Sequence, residues 1–386
     1  MYILIIFLYL WLSCIESITA QPRLPLDWSA IANRIAQSLA LEPNEKVLIV
    51  SYPGRFEDLI PHLRYTFIGV GAIDLGVIDV LRKPYPNNWP DKMVKRAIKN
   101  SRVSYRTMLR DFDAAVILPG TTPTAPVYAA TQDLLRTGRG RTIHFHWLEN
   151  GSTLPLPGQP LPPPHAIDST YQWALLKSDC AAIGLIQRRF ETAMRKSEVR
   201  VTSSLGTDLR FEIGKRPVNL QDGDASVERT NKAEILVDRE IELPCGAIRV
   251  SPEEDTVQGT IAFPTSQWNG RPVKGLKFFV ENGRIIDITA TSGIKSVEAE
   301  LAEAPKTSRR FREFALGFNP ELSVPELSPW IPYYGYGAGV VRLSFGNSSE
   351  LGGAVDGDYV RLNFFTDTSV TVGDQVWVRD GQLIEH

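Results

Sequence analysis

From residue 27 to residue 149 the chain alternates short apolar runs with longer stretches in which apolar residues recur at helical spacing. Residues 46–50, 72–80, 114–118 and 142–147 read as strands, and 56–70, 93–99 and 127–137 as helices. Strands and helices in strict alternation imply parallel pairing through right-handed crossovers. The N-terminal part is therefore expected to be an open, mostly parallel α/β sheet with flanking helices.

The pattern breaks at residues 151–165, GSTLPLPGQPLPPPH, which can form neither a helix nor a central strand. A single long amphipathic helix is expected at 169–196. Beyond it, strand signals at 198–203, 209–213, 260–263, 275–281, 284–290, 340–345, 359–365 and 375–379 predict a largely antiparallel β domain of α+β type. Asn282-Gly283 between two of these runs suits the tight turn of a hairpin. The expected organisation is thus 1–20 as a signal peptide, 21–150 as the α/β domain, 151–167 as a Pro-rich linker and 168–386 as the β-rich domain.

Charge and composition narrow the partners. The 386 residues carry a formal net charge of −2 and 43% hydrophobic residues, enough for two cores, and no basic cluster interleaved with aromatics tracks a nucleic-acid backbone. Residues 2–15 are almost wholly apolar and lead to Ala20, which reads as a signal peptide for export to a periplasmic or extracellular space. The run is too short for a permanent membrane span. Cys14 sits in a poor context for lipid attachment. Once the leader is removed, Cys180 and Cys245 remain, either as one disulfide or as two buried thiols.

Several segments resemble the aminopeptidase T family of metallo-aminopeptidases. Gly206 to Phe211 with Gly214 to Pro217 is similar to that family's GTDLxF…GR, and residues 243–246 with 251–260 to its PxGEVFxxPxExSxxG. Residues 278–293 are similar to its LxFxxGxxxxxxAxxG, and residues 41–49 to its LxPxEKVLI opening. The resemblance implies the two-domain fold, pairing as a homodimer, and a centre where carboxylates and histidines hold two divalent ions that activate water for removal of N-terminal residues from peptides.

Position by position, that centre is largely missing. Ala247 stands where the family has its first glutamate, Glu313 keeps the second, Arg342 replaces a histidine, Gly337 an acidic residue, and Arg361 and Asn363 the terminal His-x-Asp pair. The histidines of the chain are His62, His144, His146, His165 and His386, so almost the whole β domain lacks imidazole. Guanidinium has no lone pair for a metal. The expectation is that no cofactor is needed and that Glu313, Arg342, Arg361, Asn363, Tyr334 and Tyr336 bind a small peptidic or anionic ligand, with or without metal-free catalysis. The bland reading of the arginines is a salt bridge with Glu313 in a dead site.

Two alternatives stand beside it. One is an active aminopeptidase whose zinc or cobalt site is rebuilt from Glu298, Glu300, Glu303 and Asp358; the other is a non-catalytic scaffold. His144 and His146 share one face of a strand and could address one ligand, though with only Glu149 nearby a half-buried pair is the plainer reading. The aromatic loop Pro332 to Gly337 can line a pocket or plug a core. No GxGxxG follows the first strand and no GxSxG occurs, which leaves dinucleotide binding and serine hydrolysis without support.

Overall fold

The computed structural model describes residues 24–81, 86–147, 154–156 and 158–384. The N-terminal apolar run, Cys14, Glu149 and His386 lie outside them. In chain order the elements that place the site are α1 (Trp28–Leu39), β1 (Lys46–Ser51), α2 (Leu59–Gly69), β2 (Ile73–Asp79), α3 (Asp91–Met108), β3 (Ala114–Ile117), α4 (Pro126–Arg136) and β4 (Arg141–Phe145). There follow α5 (Pro164–Lys177), α6 (Cys180–Met194), β5 (Val218–Gln221), β6 (Glu240–Leu243), β7 (Ala247–Val250), β8 (Phe311–Gly317), β9 (Val341–Gly346) and β10 (Val360–Phe365).

Five strands form a parallel sheet in the order β2-β1-β3-β4-β6. The central strands are largely apolar because both faces are covered, although β4 carries the buried Arg141, Thr142 and His144. Val47, Ile49 and Ile143 meet Ile31, Leu63 and Phe67 of α1 and α2 on one side. On the other, Leu48, Val50 and Ile117 meet Val127 and Leu134 of α4. The α/β layer expected from the alternation is present. One strand of its sheet, β6, and one covering helix, α5, come from beyond the proline-rich stretch, so the first core draws on chain from both sides of it.

The single helix expected at 169–196 is two. The chain breaks at Ser178, and Asp179 caps α6 by accepting from the Ala182 amide at 2.9 Å. Cys180, at the start of α6, is joined by a disulfide to Cys245, with Cα atoms 6.1 Å apart. Of the two states left open by the sequence, the pair adopts the bond.

Most of the remaining strands build two antiparallel sheets packed face to face. The five-stranded one runs β10-β9-β8-β7-β5, and the larger one contains the hairpin at Asn282-Gly283, whose two residues take the left-handed conformations such a turn requires. Between them lies one core, in which Phe211, Phe278, Phe314, Leu343 and Phe345 are buried. The opposite face of the five-stranded sheet turns toward the parallel sheet, and a tyrosine loop lies over it. Gly317 makes room for that loop: a Cβ there would stand 2.0 Å from the Gly337 carbonyl oxygen. Among the described residues no helix is long and apolar enough to cross a membrane.

Candidate functional site

Cross-strand register decides which side chains share the inner face of the five-stranded sheet. Ala315 lies opposite both Arg249 and Arg342, and Glu313 opposite Ser344, which puts Arg249, Glu313 and Arg342 on one face. Ala247, opposite Gly317, is on that face as well. Glu313 is fully buried and its Oε1 accepts from Arg249 Nε at 2.6 Å and Arg342 Nη2 at 2.7 Å. Arg312 Nε stands 3.5 Å from Glu313 Oε2. Arg249 also donates to Glu350 at 2.9 Å, and Arg312 donates to the same carboxylate.

The tyrosine loop closes this cluster from above. Arg342 donates to the Tyr334 carbonyl at 3.0 Å, and the Tyr336 hydroxyl donates to Glu242 of β6. Arg249 lies 3.9 Å from Glu242. Burial alone would raise the pKa of Glu313, but Arg249, Arg342 and Arg312 outweigh it and hold the carboxyl well below its ordinary range. Glu242 is depressed likewise against burial, by His146, Arg249 and Tyr336. Arg249, Arg312, Glu350 and Glu242 were not singled out in the sequence. The signal available for Arg249 was its place two residues after Ala247 on a strand, hence on the same face.

Arg361 and Asn363 do not join this group. They lie opposite Phe345 and Leu343, on the face that carries the sandwich core. Arg361 donates to Glu300 at 2.5 Å and to the Gln267 carbonyl at 2.6 Å, and its guanidinium stacks 3.3 Å from the Trp268 ring centroid. Asn363 donates to the Leu343 carbonyl at 3.0 Å. The expected pairing of Arg342 with Arg361 around one ligand therefore fails on register. Glu300, offered for a rebuilt metal site, also accepts from the Tyr359 hydroxyl at 3.2 Å and the Asn269 amide at 2.8 Å.

In front of the loop, at the carboxyl ends of β1, β3 and β4, opens a crevice of about 420 Å³ lined by His144, His146 and Tyr334. The two imidazoles stack with centroids 3.6 Å apart instead of converging on one point. His146 Nε2 is 3.8 Å from Glu242, whereas His144 Nδ1 is 2.7 Å from the Tyr128 hydroxyl, which donates to Glu240 at 2.7 Å. Burial and the neighbouring His144 lower the pKa of His146, against the pull of Glu242. Of the aromatic loop, Tyr333 and Tyr336 are buried plugs and Tyr334 lines the crevice, so both readings of it apply, to different residues.

With this geometry in hand, comparison with known proteins becomes informative. Residues 186–324 match the thermophilic metalloprotease family, M29. The M29 match spans Ala247, Arg249 and Glu313 and bears out the family resemblance read from the sequence. No curated protein matches the chain. Among solved structures, wild-type AmpT from Thermus thermophilus superposes with a TM-score of 0.61 at 14% identity, over 93% of this chain and 99% of its own. A 2,5-dihydroxypyridine dioxygenase from Pseudomonas putida KT2440 gives a TM-score of 0.62 at 13% identity, over 94% and 99%. The α/β plus antiparallel β fold class is thereby shown. A peptidase-family protein and a dioxygenase share it, so the fold does not choose the chemistry.

M29 proteins are metalloproteases, and a divalent ion is the group to test against the inner face. That face offers Glu313 together with Ala247, Arg249 and Arg342, and the residues of β10 that share it are Leu362 and Phe364. Among the described residues no three His, Cys, Asp or Glu side chains come together as a set able to hold a metal. One carboxylate already bonded to two guanidiniums, with a third beside it, is a poor ligand for a cation, because the ion would have to displace them inside a buried space. The residues present do not fit a dinuclear metal centre.

Proposed function

We propose that this chain is an exported aminopeptidase-like protein that binds a small peptidic or anionic ligand and does not work through a pair of metal ions. The M29 match and the AmpT-like fold support the aminopeptidase-like part. The metal-free part rests on one observation, the enclosure of Glu313 by Arg249, Arg342 and Arg312. Guanidiniums already engage the one glutamate kept from the family's ligand positions, and their charge is matched by Glu313, Glu350 and Glu242. The Cys180–Cys245 bond supports export, since disulfides persist in oxidising compartments. The family resemblance further suggests a homodimer, which sedimentation would test.

The reading is tested by thermal shift of the mature protein against amino acids, dipeptides and dicarboxylates in the presence of EDTA. A ligand at about a hundred times its Kd should add ~2.7 kcal/mol and raise Tm by a few degrees. Stabilisation that disappears in EDTA, or zinc- or cobalt-dependent release of N-terminal residues from peptides, would overturn it.

A further inference from the structure

Helices α3 and α4 lie side by side over one face of the parallel sheet, yet they meet it differently. Against that face α4 buries Val127, Tyr128, Ala130, Leu134 and Leu135, as an amphipathic helix on a sheet ordinarily does. Helix α3 is amphipathic too and has 18 residues, but none of them is buried. Its inward row is Val94, Ile98, Ser101 and Tyr105, four, three and four residues apart and therefore on one side of the helix. All four are only half-buried, because they line a cavity of about 570 Å³.

The cavity lies between α3 and the carboxyl ends of β1, β2 and β3, with Val80 and Val127 on the wall facing the helix. A recess of this size with mostly apolar walls has the dimensions of a small-molecule site, and such sites take their selectivity from a few polar groups. Here those groups are particular. Tyr52, Trp89 and Tyr105 bring three aromatic rings to the lining, and Asp79, at the end of β2, brings a carboxylate. Among the described residues that line the cavity Asp79 is the one charged side chain. It is exposed at the rim and has no ion-pair or hydrogen-bond partner for its carboxylate among the described residues.

Aromatic faces and a carboxylate both favour an organic cation, the rings through their quadrupole and the carboxylate through its charge. An anion would meet one like charge in this wall and no cation. The basic residues of α3, Lys92, Lys95, Arg96, Lys99, Arg102 and Arg106, do not change this, since by helical spacing they fall on the side away from the inward row and none lines the cavity. Arg102 is in addition bonded to Asp133 of α4, at 2.6 and 2.8 Å.

We infer that the cavity under α3 is a binding site for a small amine with an apolar body, its ammonium beside Asp79 and its body against Val94, Ile98 and Val127. Such a ligand gives the inward row of α3 the apolar cover that the sheet gives α4. The site shares no residue with the Glu313 cluster and does not depend on how that cluster is read.

Isothermal titration of the protein with 2-phenylethylamine, ethylamine, 2-phenylethanol and 3-phenylpropionate tests it. The first should bind about tenfold or more tighter than ethylamine, which lacks the body, and than 3-phenylpropionate, which carries the opposite charge. Against the neutral alcohol its advantage should be about fivefold, as expected for a charge at an exposed carboxylate. Asp79→Asn, at an exposed position where the fold is preserved, should remove that fivefold advantage and leave 2-phenylethanol unchanged. Ile98→Trp should fill the cavity and weaken both phenyl probes about tenfold. No binding of 2-phenylethylamine to the wild-type protein, an affinity for 2-phenylethanol or 3-phenylpropionate as high as for the amine, or indifference to both substitutions would overturn the assignment.

Discussion

Behind the tyrosine loop and in front of it, the chain treats charge differently. Behind, Arg249, Arg312 and Arg342 are answered by Glu242, Glu313 and Glu350, and nearly every contact is internal. In front, the two histidines, Thr121 and Arg55 line an open crevice, with Arg55 bonded at 2.7 Å to the buried carboxylate of Asp168. The first arrangement is complete as it stands, because each buried ion has its counterion. The second also pairs its guanidinium, with Asp168, but its imidazoles and the Thr121 hydroxyl line open space. In a chain that matches a metalloprotease family, this difference separates where metal chemistry would have been expected from where a ligand can still enter.

The largest effect should come from breaking the closed cluster. Glu313→Gln leaves three buried guanidiniums short of a counter-charge, and the expected loss is about 3–5 kcal/mol in denaturant titration. A loss under ~1 kcal/mol would mean that the cluster is wetter and looser than its geometry implies.

Acid sharpens the comparison next. Burial would raise the pKa of Glu242, Glu313 and Glu350, yet their arginine and histidine neighbours leave all three below the ordinary 4.5. Their contribution is thus fully present above about pH 4.5 and is lost as pH falls below it. His146 is lowered from 6.5, so the folded chain favours its neutral form and stability starts to fall below that pH. Melting temperature followed from pH 8 downward should decline in two stages, and His146→Gln should remove the upper one. A rise in Tm between pH 6.5 and 5 would contradict this assignment.

Arg361→Met should matter least. Its guanidinium is partly exposed, bonded to Glu300 and stacked on Trp268 on the far face of the sheet, which sets the expected cost at about 1 kcal/mol. Affinity for any anionic ligand should stay the same, and a marked loss would return Arg361 to the site.

Much of the fold was readable because buried parallel strands are largely apolar and the helices between them are periodic. The pairing of β6 with β4 was not, since nothing local in Glu240–Leu243 says which sheet it will join. The break at Ser178 was hidden because apolar spacing continues through it, and only the Asp179 cap marks the interruption. At the site, Glu313 and Arg342 could be found by motif. Arg361 and Asn363 were placed wrongly, because facing direction depends on the register of β10 against β9, which a one-strand motif does not contain. Glu350 is reached only by folding, 101 residues along the chain from its partner Arg249. The histidine pair was visible as two residues on one strand face, but its carboxylate neighbours arrive with β6.

Elemental analysis of the purified mature protein, after incubation with zinc, cobalt or manganese and removal of free ion, tests the central claim most directly. With guanidiniums around Glu313, metal should be far below one ion per chain and unrelated to ligand binding. One or two tightly held ions per chain would contradict the account and reopen the search for a peptidase centre.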